Sequence, residues 1–337
     1  MPELPEVETM CRGIASLVGC LITDVATPEC SCRPCLIDPP LPRLSRQMVG
    51  KRVSGIERRG KRVILLLEDD SRLVIEPRMS GLVLIGDPPD NEHLRLKITL
   101  STKPAVAGDW TGPTGKHSAG GGKVASRDGN VNSQHSSKNL SDRVGERSRL
   151  ELLVWDRRGL GTIRWMSEDS FGKLVDRRLG PDALEVDAAT LRAALSASRR
   201  AIKVALLDQS VVAGVGNLYA SEICFVSGVD PRTRCDRLTR PQWHRIGEAI
   251  RLVLEEAIRH EGSTLSDGTY RNALNAPGNY QSQHRVYDRA GWQCVRCEEG
   301  TIRRIVQAQR STFFCPLCQR RSGRHRSILP SAFERSL

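Results

Sequence analysis

The chain has no long hydrophobic run. Its longest purely aliphatic stretch is Val63 to Leu67, far short of the roughly twenty apolar residues needed to cross a bilayer. The N-terminus, Met1-Pro-Glu-Leu-Pro-Glu, has neither the basic start nor the apolar stretch of a secretory signal. Aromatic residues make up only 4 per cent of the 337 residues, and no internal repeat is visible. Heptads and exposed apolar stripes are also missing, which predicts a monomer. These absences exclude membrane and fibrous classes and predict a soluble cytoplasmic protein. At this length, about two domains are expected, each able to bury a core.

Acidic residues are also in short supply. Fifty-one Lys and Arg stand against 39 Asp and Glu, a net charge of +12. Such an excess favours a polyanion, most simply nucleic acid, because neutralising phosphates releases condensed counterions. The charge is concentrated in two places. Residues 43–62 carry eight Lys or Arg and one Glu; residues 294–337 carry nine Arg and three Glu. Two separate basic patches suit a long anion gripped at more than one point.

The first half reads as antiparallel β with one helix. Val7, Met10, Cys11, Ile14, Leu17 and Val18 share a helical face. Strand-like runs follow at 62–67, 73–75, 82–85, 94–100, 150–155 and 162–166, several alternating apolar with polar residues. Residues 101–148 break the pattern. Sixteen of these 48 residues are Gly or Ser, and only six are Ile, Leu, Met, Phe, Val or Trp, so they read as a disordered insertion in the hairpin joining 94–100 to 150–155. Helical signals dominate after about residue 170. Asp187 caps a helix through Ala197, Ala201 to Asp208 forms another, and a glycine turn at 213–217 leads into a third ending near Val226. Thr239 caps a long helix with Trp243, Ile246, Ile250, Val253, Leu254 and Ile258 on one face, and Gly262 stops it. The expected division is a β-sandwich over 1–168, a helical domain over 169–285, a segment holding the last four cysteines over 286–326 and a tail over 327–337.

Eleven cysteines in a cytosolic chain point to metal or free thiols rather than disulfides. Cys294-x2-Cys297, seventeen residues, then Cys315-x2-Cys318 is a four-thiolate zinc spacing. Four protein ligands leave no open position, so one structural Zn2+ is expected. Cys30, Cys32 and Cys35 form a weaker group with no identifiable fourth ligand. Arg310 lies within the zinc hairpin, where it either holds a phosphate or is an ordinary surface arginine. The turn Gly214-Val-Gly216-Asn217 opens a helix whose amides are suited to a phosphate, or is simply a tight turn. Removal of Met1 would leave Pro2 as a free secondary amine beside Glu3 and Glu6. An α-amino group has a pKa near 8, so a sizeable neutral fraction is available for attack on a sugar's C1′. The resulting iminium cannot lose an N–H proton and stays cationic, an electron sink for elimination.

Taken together, the chain resembles the formamidopyrimidine-DNA glycosylase family, whose sibling branch is endonuclease VIII. The matching stretches are Met1 to Glu8, Arg59-Gly-Lys61, Met79-Ser-Gly81, Asp156-Arg-Arg158, Leu179-Gly-Pro181, Leu206 to Gln209, Val212 to Tyr219, Gln309 to Cys315 and the cysteine quartet, in family order. The resemblance implies an α+β multidomain fold. It comprises an antiparallel β-sandwich with a helix, a helix–two-turn–helix domain and a zinc-ribbon hairpin, with double-stranded DNA carrying oxidised bases or abasic sites in the cleft. It also implies roles for single residues. Pro2 is the Schiff-base nucleophile, Glu3 the proton donor at the sugar, and Glu6 supports the nucleophile. Lys61 serves β-elimination and phosphate contact; Arg310 holds phosphate and assists δ-elimination. Asn217 and His93 contact the DNA backbone, and Lys203 or the pair Arg199/Arg200 line the groove. Met79, Arg158 and Leu160 fill the void left by a flipped base.

Three positions depart from the family pattern. Leu160 stands where the third void-filler is usually Phe, Glu76 where a phosphate-binding His is common, and Arg157 where a Pro is usual. The amine chemistry is untouched by these changes. The expected activity is a bifunctional glycosylase and abasic-site lyase for oxidised purines such as 8-oxoguanine and formamidopyrimidines. Two alternatives are an endonuclease VIII-like specificity for oxidised pyrimidines, ranked lower because that branch more often has Gly at the place of Leu4, and a non-catalytic zinc DNA-binding relative.

Overall fold

The computed structural model describes residues 2–102, 149–265 and 268–320. Nearly all of the 101–148 insertion and the whole 327–337 tail lie outside these residues. The amino-terminal part is a sandwich of two sheets. One contains β1 (Leu21–Ala26), β7 (Leu94–Ser101), β8 (Arg149–Asp156) and β6 (Gly81–Leu84), in that order. The other runs β2 (Leu36–Asp38), β9 (Thr162–Met166), β5 (Arg72–Glu76), β4 (Arg62–Leu67), β3 (Val53–Arg59). The expected hairpin is present as β7 against β8, from Leu94 opposite Trp155 to Ser101 opposite Arg149. Every pairing is antiparallel except β2 with β9.

The aliphatic run of β4 follows from its position. Val63, Leu65 and Leu67 face the sandwich core, while Ile64 packs with Val74, Met166 and Phe171 on the other side. A strand covered on both faces has no need to alternate. Phe171 comes from α3 (Glu168–Leu174), which Ser167 caps through the Ser170 amide. The N-terminal helix, α1, spans Leu4–Gly13, and Ala15–Leu17 form a separate tight turn, so the predicted 7–18 helix starts earlier and is broken. Its residues Val7 and Met10, and Ile14 just after it, are fully buried in the sandwich core. A second helix in this half, α2 (Leu41–Met48), was not expected; it adds Leu44 and Met48 to the same core.

The helical part contains α4 (Ala188–Leu195), α5 (Ile202–Leu206), α6 (Asn217–Val226) and α7 (Arg240–Arg259). Asp187 and Thr239 cap α4 and α7 as their sequences predict. All six residues of the predicted α7 stripe are buried. In α6, Leu218 to Phe225 are buried without exception, the signature of a helix enclosed on all sides. The ribbon, β10 (Arg303–Gln307) against β11 (Arg310–Phe314), packs Ile302 and Phe313 against Phe225 of α6.

The parts interlock rather than merely adjoin. Leu4 belongs to the helical core, while Tyr270 and Ala273 belong to the sandwich core. Arg58 of β3 clamps the two with a bidentate pair to Asp182 (2.6 and 2.9 Å) and a third bond to Glu8 (2.9 Å). Arg58 and Asp182 are each more than nine-tenths buried. Removing one partner of such a pair strands the other charge away from water. Arg58→Ala is therefore expected to cost about 3 kcal/mol in denaturant unfolding; a loss below about 1 kcal/mol would mean the pair is solvated.

Candidate active site between the sandwich and the helical domain

Pro2 is buried and Glu3 is 3 % exposed. The chain enters the junction because Leu4 anchors in the helical core and its amide donates to the Gly214 carbonyl (3.1 Å). Glu3 begins α1, and its own amide donates to Glu6 Oε2 (2.9 Å). Glu3 Oε1 accepts from the Leu218 amide at the start of α6 (3.0 Å), so that helix end is used by a carboxylate of this chain. Glu3 Oε2 is buried with no partner. A buried, unpaired carboxylate oxygen costs stability unless something else uses it, which marks it as functional. Gly216 makes the approach possible, since a Cβ there would lie 2.2 Å from the Glu3 carboxyl carbon.

Glu6 is the fixed point of this segment. Its Oε1 accepts from Tyr219 Oη (2.5 Å) and the Ser263 amide (2.8 Å), while Oε2 holds the Glu3 amide. Burial, then the neighbouring Glu3, pushes its pKa above the usual carboxylate range, against those donors. Burial likewise raises the Tyr219 phenol well above its ordinary value. Tyr219 and Ser263 are the supports that sequence reasoning missed. Tyr219 does sit in the matching stretch 212–219, but nothing local ties it to Glu6, 213 residues away.

A cationic wall faces these carboxylates. Burial lowers the pKa of Lys61, and Arg310 lowers it further, opposed by Glu3, Glu6 and Glu76. Lys203, fully buried, is pushed down to about 8 by the same loss of water. Its ammonium donates to Asn217 Oδ1 and to the Ser311 carbonyl (3.3 Å), and Asn217 Nδ2 donates to that carbonyl too (3.0 Å). The helical domain thus grips the ribbon one residue from Arg310, which forms no ion pair among the described residues. Pro2, Glu3, Glu6, Lys61, Lys203, Asn217 and Arg310 are brought to one place. Lys61, Lys203 and Arg310 form no ion pair among the described residues, which leaves their hydrogen-bond donors available to a phosphate.

The remaining candidates lie elsewhere. Met79 is 38 % exposed on the β5–β6 loop, and Arg158 and Leu160 sit on the β8–β9 loop. Buried Asp156 joins the two loops. It accepts from Ser80 Oγ (2.6 Å), the Arg158 amide (3.1 Å) and the Gly161 amide (2.7 Å). Glu76 is not a bare repulsive charge, because Arg62 (3.2 Å) and Arg78 (3.4 Å) pair with it. His93 immediately precedes β7, bonded to Asp90. Arg199 is exposed near Asp236, and Arg200 is paired with Asp208 (2.8 Å), so neither joins the central cluster.

The cysteine quartet assembles as its spacing predicts. The four sulfurs lie within 4.8 Å of one another, with Cys294–Cys318 at 3.7 Å and Cys297–Cys315 at 3.8 Å. A tetrahedron with Zn–S bonds of about 2.3 Å has edges of about 3.8 Å. Gly300 keeps the space open, since a Cβ there would meet Cys315 Sγ at 2.7 Å. The residues fit one structural zinc ion.

Three family models match this chain. They are the formamidopyrimidine-DNA glycosylase N-terminal domain over residues 1–109, the H2TH domain of the same enzymes over 179–269, and the zinc finger found in FPG and IleRS over 293–321. A formamidopyrimidine-DNA glycosylase of Chloroflexus aggregans is 36% identical, with 95% of this chain and 98% of that protein covered. Two solved structures share the fold. Lactococcus lactis Fpg in complex with an abasic site containing DNA has a TM-score of 0.71 and 27% identity over 94% of this chain and 99% of that one. MutM in complex with carbocyclic 8-oxo-G containing DNA has a TM-score of 0.72 and 27% identity over 95% and 100%.

Proposed function

The chain belongs to the formamidopyrimidine-DNA glycosylase family, and from that premise we propose that it excises oxidised purines from double-stranded DNA and then cleaves the abasic site. The observation that carries this reading is the buried Glu3 carboxylate, one oxygen held by Leu218 and the other unpartnered, directly after Pro2 and facing the cations Lys61, Lys203 and Arg310. It supports the following roles. The mature Pro2 amine attacks C1′ of a flipped nucleoside, forming an N–C1′ bond as the bond to the base breaks. Glu3 supplies a proton at the sugar, and the ring-opened iminium draws electrons from C2′ once a proton leaves there, expelling the 3′ phosphate. A second elimination expels the 5′ phosphate. Lys61 and Arg310 hold those phosphates, with Lys203 and Asn217 fixing the ribbon around Arg310. Met79, Arg158 and Leu160 fill the stack behind the flipped base, and His93 and Arg199 contact the flanking backbone. Zinc, when bound, supplies no chemistry to these steps and serves only to hold the hairpin. We retain the domain division at 168, 285 and 326 and assign the protein to the cytoplasm.

Borohydride reduction tests the reading because it traps the iminium. Duplexes with 8-oxoguanine or an abasic site are expected to give covalent adducts, and an oxidised pyrimidine at least about tenfold less. Equal trapping on the pyrimidine would assign endonuclease VIII-like specificity. Tight binding without trapping on any duplex would identify a non-catalytic relative.

A further inference from the structure

The two loops that carry Met79, Arg158 and Leu160 cross between the sheets side by side. The chain leaves β5 at Glu76, opposite Thr162 of β9, and enters β6 at Gly81, opposite Asp156 of β8. Residues 77–80 and 157–161 therefore connect the same two pairs of strand ends. Both are tight. The Gly81 amide donates to the Pro77 carbonyl (2.9 Å), and a Cβ on Gly81 would lie 2.5 Å from that oxygen. Gly159 has a φ of +59°, and a Cβ there would meet the Arg33 carbonyl at 2.2 Å.

Asp156 is 2 % exposed and stands where these loops meet. Its backbone is pinned on both sides. The amide donates to the His93 carbonyl (2.9 Å), and the carbonyl accepts from Arg95 Nε (2.9 Å) and the Gly159 amide (3.4 Å). The carboxylate uses both oxygens. Oδ1 accepts from Ser80 Oγ (2.6 Å) and the Arg158 amide (3.1 Å), and Oδ2 accepts from the Gly161 amide (2.7 Å). Ser80 Oγ in turn accepts from the Arg158 amide (3.0 Å). Each residue assigned to the void is thus one bond or one residue away from a single carboxylate. Arg158 is bonded to it, Met79 precedes Ser80, and Leu160 precedes Gly161. Their side chains stay free of this clamp, with Met79 and Arg158 exposed and Leu160 half-buried. An ionised acceptor makes stronger hydrogen bonds than a neutral one, so one residue fixes the spacing of both loops.

We propose that Asp156 is the positioning residue for base extrusion, locking Met79, Arg158 and Leu160 into one preformed wedge. This rests on the glycosylase reading, which assigns those three side chains to the gap behind a flipped base. Unstacking a base costs free energy that the wedge offsets. A wedge whose backbone is already ordered offsets more of it, because less conformational entropy is lost on binding. The clamp therefore matters most for a lesion base that must leave the stack, and least for an abasic site, which has no base to extrude. Asparagine is no substitute. It has one acceptor oxygen, so whichever way it turns its NH2 group faces a backbone N–H, that of Gly161 or that of Arg158.

Single-turnover excision from an 8-oxoguanine duplex, set against borohydride trapping on an abasic duplex, tests this in the full chain. Asp156→Asn is expected to slow excision at least about thirtyfold and abasic trapping less than about threefold. Ser80→Ala, which removes the bridge but no buried charge, should slow excision about tenfold. Ser80→Thr keeps the hydroxyl and should stay within about threefold of the wild type. 2-Aminopurine beside the lesion reports unstacking, and its fluorescence rise should fall in step with excision. A merely structural role would lower both activities and the melting temperature together. Equal losses on the two duplexes, or unchanged excision in Asp156→Asn and Ser80→Ala, overturn the proposal. If Asp156→Asn does not fold, the Ser80 pair decides. A wild type that traps neither duplex would overturn the glycosylase reading, and the proposal with it.

Discussion

A chain whose Pro2 nitrogen is capped by an uncleaved preceding residue is expected to lose borohydride trapping on 8-oxoguanine and abasic duplexes by at least about a thousandfold, because acylation removes the nucleophile itself. The amide nitrogen of a capped proline has no available lone pair and no proton to exchange. Nothing else described at the junction replaces it. Lys61 is half-buried near Arg310, and Lys203 is held by Asn217 and the Ser311 carbonyl. Binding should survive, since the phosphate-holding cations are untouched, so affinity for an uncleavable abasic analogue should change by less than about tenfold. That contrast separates loss of chemistry from loss of fold. Full trapping by the capped chain would move the nucleophile to one of those lysines.

Much of this site was legible because short motifs carry it. Pro2, Glu3, Lys61, Asn217 and Arg310 lie in stretches that can be quoted directly, and the thiolate spacing states its own geometry. What stayed hidden is either long-range or locally contradictory. Glu6 depends on Tyr219 and Ser263, and Leu4 sits in a core made of residues beyond 180, contacts that have no periodic signal. The strand β3 contains Glu57, Arg58 and Arg59, yet Arg58 is buried through its bonds to Asp182 and Glu8. Such a stretch reads as a charged loop until its partners are known. The strand β2 has three residues, two of them exposed, and α2 follows Pro40 with a second proline, Pro42, in its first turn. Neither offers enough residues for a period to show. The Glu76 substitution looked like a defect at a phosphate site, but Arg62 and Arg78 neutralise it.

Zinc removal should cost DNA affinity far more than it costs the rest of the fold. The ribbon's apolar cluster is small, with Val286, Cys294, Ile302, Phe313 and Cys315 packed against Phe225 and Phe314 buried under Arg232, too little core to persist without a staple. Two of its attachments differ in what they need. Glu222, buried in α6, accepts the amides of Arg285, Val286 and Tyr287 (2.8 to 3.1 Å) and needs no metal. The Ser311 carbonyl, which Lys203 and Asn217 clasp, exists in position only while the hairpin does. Losing the metal therefore releases Arg310 and leaves Lys203 half-partnered, while the chain up to Tyr287 stays docked. Losing the Arg310 phosphate contact together with the anchored Lys203 is expected to cost about 2.7 kcal/mol, so Cys315→Ser or chelation should weaken binding to an abasic-analogue duplex about a hundredfold. Fluorescence anisotropy gives the affinity, and circular dichroism should show α4 to α7 retained. Undiminished affinity after complete zinc removal would mean that the hairpin holds Arg310 by packing alone.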